Sequence, residues 1–214
     1  GPAEGMGDLF PFIYLITLSS ACVMIGGLAH GSPFSHVGSS REMMMVLTVE
    51  AAVIVALLVV GLNSGSLLLS GMAGAPFRIS SLLALIVYFF GMQALLGKLP
   101  FDIPEADQEI MEGPFLEYSG PSLALFKWTF HMRQLIFGAL VFNVFLGLPH
   151  FGGMGVFGSA LSFALSYAAV IVVSLFVALV DATNPRLRID QSLRFFGWLI
   201  GVALIGVVLA VFGY

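Results

Sequence analysis

Six apolar runs decide what this chain can become: Leu9–Ala29, Met43–Leu62, Ile79–Leu96, Leu135–Leu148, Val156–Val180 and Phe195–Phe212. A membrane-spanning helix needs about 20 mainly apolar residues, because each rises 1.5 Å and the hydrocarbon core is about 30 Å thick. The fourth run is short. It reaches that length when its helix begins near Ser122 and carries Lys127, His131 and Arg133 at a wet end, where long cations snorkel to the interface. Breakers separate the runs, among them Gly31-Ser32-Pro33, Gly71 to Pro76, Pro149 with Gly152-Gly153, and Asn184-Pro185. The sequence thus predicts an all-α polytopic transmembrane helix bundle, a single membrane domain over residues 1–214. Its spans fall at about 9–29, 43–62, 79–96, 122–148, 156–180 and 195–212.

Composition narrows the function classes. Charged residues make up 9% of the chain, against roughly 25% in soluble domains, so the chain needs a bilayer around it. Eight Lys and Arg against twelve Asp and Glu leave a net charge of -4 and no basic stripe for nucleic acid. The single cysteine, Cys22, has no second thiol to pair with, and His30, His36, His131 and His150 do not group with it. Nothing here has the ligand spacing of a structural zinc or an iron–sulfur cluster. Any redox chemistry belongs to another chain. No internal repeat points to a transporter built from two inverted halves. The chain opens on Gly1-Pro2 without an initiator methionine and reads as a piece that starts partway through something longer.

Alternating the six spans places Arg41, Lys98, Lys127, Arg133, Arg186, Arg188 and Arg194 on one side and Arg78 alone on the other. The positive-inside rule makes the first side the cytoplasm and puts both termini outside. Residues 30–42, 97–134 and 181–194 are then the inner segments, and polar chemistry faces the cytoplasm.

An acidic cytoplasmic loop, residues 97–121, is the most informative stretch. Asp102 with Glu105 three residues on forms a capping pair, Pro104 suits a first turn and Gly113 suits a stop, so residues 103–112 should form a short helix. On it Asp102, Glu105, Glu109 and Glu112 are spaced 3, 4 and 3, which stacks four carboxylates along one face. Like charges one turn apart oppose one another, and exchanging protons relieves that repulsion. A solvated acidic face is the plainer reading. Prolines and glycines around the run, flanking apolar spans, and Lys98 and Lys127 as counter-charges favour a re-entrant segment lining a polar cavity.

Glu50 is the second signal. It stands seven residues into Met43–Leu62, roughly 10 Å down the helix, where an ionised carboxylate is costly and function is the default hypothesis. A protonated Glu bonded to a neighbouring helix is the alternative. Arg41 and Glu42, at the mouth of the same helix, are partners or an interfacial anchor. Tyr88, Gln93, Asn143, Ser162, Ser166, Tyr167 and Ser174 are read mainly as helix–helix hydrogen-bonding residues. Asp181 is either an interfacial neighbour of Arg186 or the inner end of a proton route. The run Pro185-Arg186-Leu187-Arg188-Ile189-Asp190-Gln191 suits a loop pinned to a partner protein. The methionines are adaptable packing.

Pro100-Phe101-Asp102-Ile103-Pro104-Glu105-Ala106-Asp107, with Glu109 and Glu117-Tyr118-Ser119-Gly120, resembles the signature loop of the membrane subunit shared by respiratory complex I (its H-type or 1-type membrane subunit) and membrane-bound [NiFe] hydrogenases. Arg186, Arg188, Asp190 and Gln191 resemble the family's last cytoplasmic loop, and Arg41 with Glu50 its earlier arginine-to-glutamate helix. The six spans then look like the last six of the family's eight. Gly38-Ser39-Ser40-Arg41-Glu42, and Tyr118-Ser119-Gly120-Pro121 followed by Leu123-Ala124-Leu125-Phe126-Lys127, are similar to the hydrogenase branch. Asp107 replaces the family's commoner glutamate, and Glu112 stands where complex I usually has a small residue.

The resemblance implies a subunit without a catalytic residue, metal or cofactor of its own in an energy-converting membrane-bound hydrogenase-like oxidoreductase. It would dock the peripheral redox arm and couple electron transfer to proton or sodium translocation. Glu50, Asp102, Glu105, Asp107, Glu109, Glu112 and Glu117 would be the relay candidates, with Arg41, Lys127, Arg133, Arg186, Arg188 and Asp190 as docking or counter-charge residues. Partners would be hydrogenase-like large and small subunits carrying the [NiFe] site and iron–sulfur clusters, and antiporter-like membrane subunits in a cytoplasmic (inner) membrane. The alternatives are the corresponding subunit of a quinone-reducing complex I, whose loops would frame a quinone tunnel, and a sulfur-reducing relative. A stand-alone ion carrier using Glu50 and a passive anchor are the rivals from other classes.

Overall fold

The computed structural model describes residues 7–73, 75–104, 110–111, 113–147 and 155–213. Among them seven α-helices follow in chain order: α1 (Leu9–Leu28), α2 (Pro33–Ser64), α3 (Leu69–Met72), α4 (Ile79–Leu95), α5 (Pro121–Leu140), α6 (Gly155–Thr183) and α7 (Ile189–Phe212). A 3-10 turn at Gly113–Phe115 precedes α5, and a π-helical turn at Val141–Phe145 continues it. Each of the six apolar runs begins or lies in a different helix, the fourth passing from α5 into the π turn. Four helical stretches are long and apolar enough to cross a membrane: Leu9–Leu28, Pro33–Ser64, Ala160–Thr183 and Ile189–Phe212. The apolar α4 has 17 residues, and the 20 residues of α5 include Lys127, His131 and Arg133.

The second helix starts earlier than its apolar run. Residues 33–42, expected to be part of a cytoplasmic loop, are the first turns of α2, which opens on Pro33. Proline is tolerated in a first turn, where its missing N–H had no helical partner anyway. At 32 residues, α2 is roughly 48 Å long, well beyond a hydrocarbon core, so its polar opening continues the span outward. The seventh helix likewise begins at Ile189, six residues before the apolar run, with Asp190 in its first turn, where a negative charge complements the helix dipole.

The central element is α2, which packs against α1, α4 and α7. Val49, Ala52, Val53, Ala56, Val59 and Val60 are all buried, and their spacing of three and one places them on one face of α2. Small residues let the backbones close in, as is usual where lipid supplies no hydrophobic drive between helices. A Cβ at Gly91 of α4 would collide with the Val53 side chain. Asn63 donates to Ser80 Oγ and Ser81 Oγ, both at 2.9 Å, and the buried Tyr88 hydroxyl donates to the Phe137 carbonyl at 3.2 Å.

Two sets of contacts fix the ends of the segment between α4 and α5. At its start, Leu99 N–H donates to Asp181 Oδ1 at 2.7 Å and Gln93 Nε2 to the Leu99 carbonyl at 2.8 Å. Leu187 N–H then donates to the Pro100 carbonyl at 2.9 Å. At its far end the 3-10 turn lies on the polar opening of α2. A Cβ at Gly38 would stand 2.7 Å from Gly113 Cα and 2.7 Å from Pro114 Cδ, and Gly113 itself has φ +49 with no room for a Cβ before the Pro104 carbonyl. Tyr118 O–H donates to the Gly26 carbonyl at 3.2 Å, which ties the same turn to α1. The helix expected over residues 103–112 lies mostly outside the described residues; of those described, Ile103 and Pro104 are not helical and Ile110 is.

Backbone, not a flexible side chain, faces Gly38, so Gly38→Val should cost about 1–3 kcal/mol by overpacking. Thermal unfolding of the purified protein in detergent should show a lowered midpoint for this variant. Gly31→Val, where nothing lies within 4 Å of the added Cβ, should leave the midpoint unchanged.

Candidate functional site

Two helices, α2 and α5, place ionisable groups inside the bundle, and α1 places hydroxyls against them. Glu50 sits half-buried on α2, and Thr17 of α1 reaches it with Oγ1 at 3.1 Å from Glu50 Oε2. Thr17 Oγ1 also stands 3.0 Å from the Ile13 carbonyl. A hydroxyl has one proton and two lone pairs, so the arrangement serves both states of the carboxyl group. Ionised Glu50 accepts the Thr17 proton; protonated Glu50 donates to Thr17 Oγ1 while that hydroxyl turns to Ile13. The other oxygen, Glu50 Oε1, is buried without a hydrogen bond among the described residues. Beside Glu50 a cavity of about 20 Å³ is walled by Phe12, Ile16, Val53, Leu57 and Phe137, enough for one water, which needs roughly 10–15 Å³.

Arg133 supplies the positive charge. Its place in the sequence predicts the wet end of α5, yet the residue is only 4% exposed. Its guanidinium turns inward to α1, donating to Ser19 Oγ from Nε at 3.2 Å and from Nη2 at 2.9 Å, with the Phe130 ring centroid 5.5 Å away. Glu42 and Glu50 both lie within Coulombic reach of it, and of one another. The two carboxylates are eight residues apart on α2, roughly 12 Å along its axis. Carboxylates too far apart to touch therefore share one guanidinium. The charge of Arg133 remains balanced when either acid alone is ionised.

A second convergence lies at the loops. Arg41 from α2, Arg186 and Arg188 from the α6–α7 connection and Asp190 from α7 line one cavity of about 170 Å³, together with Ile103. Arg186 Nη2 donates to the Ile103 carbonyl at 3.3 Å. Arg41 and the run Arg186–Asp190, far apart in the sequence and expected to supply docking residues, thus meet at the point where the acidic segment leaves its anchor. Asp181 is an anchor too, holding Leu99. Lys127 lies elsewhere, lining a separate cavity with Lys98 and His131.

The remaining relay candidates divide. Asp102 is half-buried between Phe101 and Ile103, both nearly fully buried, while Glu117 is exposed. Glu105, Asp107, Glu109 and Glu112 lie outside the described residues. Among the described residues, no three His, Cys, Asp or Glu side chains gather as metal ligands would. Thr17 and Ser19 carry no signal in the sequence, and Glu42 reads there only as a mouth residue. Hydroxyls on an apolar helix are common, and only the packing of α1 onto α2 and α5 singles these two out.

A family model described as NADH dehydrogenase matches residues 3–211. The chain belongs to this NADH dehydrogenase family of membrane subunits. Within the family it is 32% identical over 199 residues to formate hydrogenlyase subunit 4 of Escherichia coli (strain K12), covering 90% of this chain and 65% of that protein. It is 39% identical over 150 residues to hydrogenase-4 component C of the same organism, covering 68% and 48%. The H-type membrane subunit of the NADH-quinone oxidoreductase of Geobacillus thermodenitrificans (strain NG80-2) is 30% identical over 212 residues, covering 96% and 62%. A chain in the structure of the membrane-bound sulfane sulfur reductase, an archaeal respiratory membrane complex, superposes with a TM-score of 0.85 at 28% identity, covering 95% of this chain and 69% of that one. The chain spans between about half and two thirds of the length of these curated relatives. This member of the NADH dehydrogenase family is an integral membrane protein, and its relatives are membrane subunits of oxidoreductase complexes.

Removing Arg133 strands Glu42 and Glu50 without their shared counter-charge. Arg133→Met should destabilise the protein by roughly 3–5 kcal/mol, as breaking one side of a buried charged set does. Adding Glu50→Gln should recover part of that loss, because one of the stranded acids is gone. Unfolding of the single and double variants in detergent measures the coupling; strict additivity would mean that the two groups do not interact.

Proposed function

We propose that this chain is the membrane coupling subunit of an energy-converting, hydrogenase-like oxidoreductase, carrying no catalytic group of its own. The observation that carries the reading is the set of Glu42, Glu50 and Arg133 inside the bundle, with Thr17 poised to bond Glu50 in either protonation state. Intramembrane ionisable groups are costly and seldom kept without a task, and here the task is proton or sodium translocation. The higher identity to formate hydrogenlyase subunit 4 and hydrogenase-4 component C supports the hydrogenase branch.

In this reading all six apolar helices span the membrane, with the Arg41–Arg186–Arg188–Asp190 cluster on the cytoplasmic side and the termini outside. That cluster docks the peripheral arm, whose large and small subunits carry the [NiFe] site and iron–sulfur clusters. Electron transfer there changes the charge balance at the acidic segment, with Asp102, Glu105, Asp107, Glu109, Glu112 and Glu117 as its relay groups. A proton gained or lost there shifts the energy of charging Glu42 and then Glu50 through their common field. Arg133 keeps both acids chargeable. Antiporter-like membrane subunits complete the path across the bilayer.

A sulfur-reducing complex is the second reading, favoured by the 0.85 TM-score to the sulfane sulfur reductase chain. It uses the same coupling residues and differs in the partner's acceptor.

In inverted membrane vesicles holding the whole complex, Glu50→Gln should keep the redox turnover, measured with an uncoupler present, while ion uptake per electron falls severalfold. Glu50→Asp should retain part of the uptake. Unchanged uptake in Glu50→Gln would remove Glu50 from the path. Loss of the assembled complex in that variant would assign Glu50 to helix packing instead.

A further inference from the structure

A cavity of about 190 Å³ opens between the end of α4 and the outer wall of α5, and Lys98, Lys127, His131 and Gln134 line it with Leu96 and Phe130. Lys127, His131 and Gln134 are spaced four and three residues apart, so they form one stripe on α5. Lys98 comes from the opposite wall. Its backbone is held where α4 ends: Gly97 turns at φ +62, Lys98 N–H donates to the Gln93 carbonyl at 3.2 Å, and Asp181 grips the next N–H. The two ammonium groups are therefore brought to one opening by elements whose positions are set independently. Among the described residues no carboxylate lines this cavity. Two lysines facing one space repel each other unless an anion stands between them.

The flank of α5 says what kind of anion. Leu125, Trp128, Met132 and Leu135 are 67%, 58%, 43% and 40% exposed, and their spacing of three, four and three puts them on a second stripe beside the polar one. Trp128 has the amphipathic ring that sits at headgroup level. A polar stripe of cation, imidazole and amide thus runs alongside an apolar stripe, the pairing that a phospholipid offers in phosphate and acyl chain. The volume far exceeds the roughly 10–15 Å³ of a single water.

We propose that this cavity binds a phosphate group, supplied by the headgroup of an anionic phospholipid whose acyl chains lie along the exposed stripe of α5. Lys98 and Lys127 contact the phosphate oxygens, and His131 and Gln134 add hydrogen bonds. The lipid would clamp the start of the acidic segment to α5 from outside. This site is separate from the coupling set and does not depend on the function proposed above.

Native mass spectrometry of the complex purified through this chain, incubated with phosphatidylglycerol, phosphatidylcholine or inorganic phosphate, tests the site. The expected result is retention of phosphatidylglycerol several times above phosphatidylcholine, lost in the Lys98→Gln/Lys127→Gln double variant and kept in Lys127→Arg. Arg78→Gln, outside this cavity, should keep the preference and so reports on general charge loss. If the double variant does not assemble, the exposed single change Lys127→Glu should abolish the preference in an intact complex. Equal retention of the two lipids, or a preference that survives Lys127→Glu, would overturn the proposal. Retention of inorganic phosphate without phosphatidylglycerol would overturn the lipid source and leave a free-phosphate site.

Discussion

A guanidinium enclosed by apolar helices must find its counter-charge nearby in low-dielectric space, because no bulk water reaches in to screen it. Arg133 meets that demand through a division of labour. Ser19 accepts hydrogen bonds from its Nε and Nη2, and Glu42 and Glu50 lie within Coulombic reach of its charge from α2. Charge and hydrogen bonding thus come from different helices, so α1, α2 and α5 are each needed to complete the set. Once those three are held together, α4 and α7 close on the remaining faces of α2 by apolar packing. A set of one cation and two acids also differs from a simple ion pair in kind. It has a choice of which acid carries the negative charge, the choice on which the proposed coupling role rests.

The loop cluster is built by another kind of constraint. The segment after α4 buries Phe101 and Ile103, and backbone hydrogen bonds to the end of α6 and the α6–α7 connection hold its start. Its end is held by glycine contact with α2, where a missing Cβ allows two backbones to touch. These anchors bring Arg41, Arg186, Arg188 and Asp190 around one opening. The described ends of the segment are thereby held beside the Arg41–Arg186–Arg188–Asp190 cluster and against Gly38, one helical turn before Glu42.

Some of this is legible in the residues and some is not, for identifiable reasons. Glu50 stands out because a carboxylate within an apolar run is costly wherever the run is placed. The four docking residues stand out by their resemblance to the family's loops, though their meeting at one cavity does not. Arg133 reads as a wet-end residue because it follows Lys127 and His131 in the sequence; its position on the inward face of α5, opposite the polar stripe, emerges only when α5 packs on α1. The opening of α2 at Pro33 is hidden by its polar composition, which reads as loop when the partner surface that accepts Gly38 and Ser39 is unknown.

From the residues alone it follows that this chain is a membrane helix bundle, which apolar runs form its helices, and that acids are concentrated between α4 and α5 and placed once deep within an apolar run. Those conclusions rest on transfer free energies of single residues and stretches, which are properties of the chain itself. Which hydroxyl bonds Glu50, which cation balances it, and which lysines share a cavity are settled by the packed fold. Each is a distance between helices far apart in sequence, set by packing of small residues on α1, α2 and α4, and no local pattern encodes it.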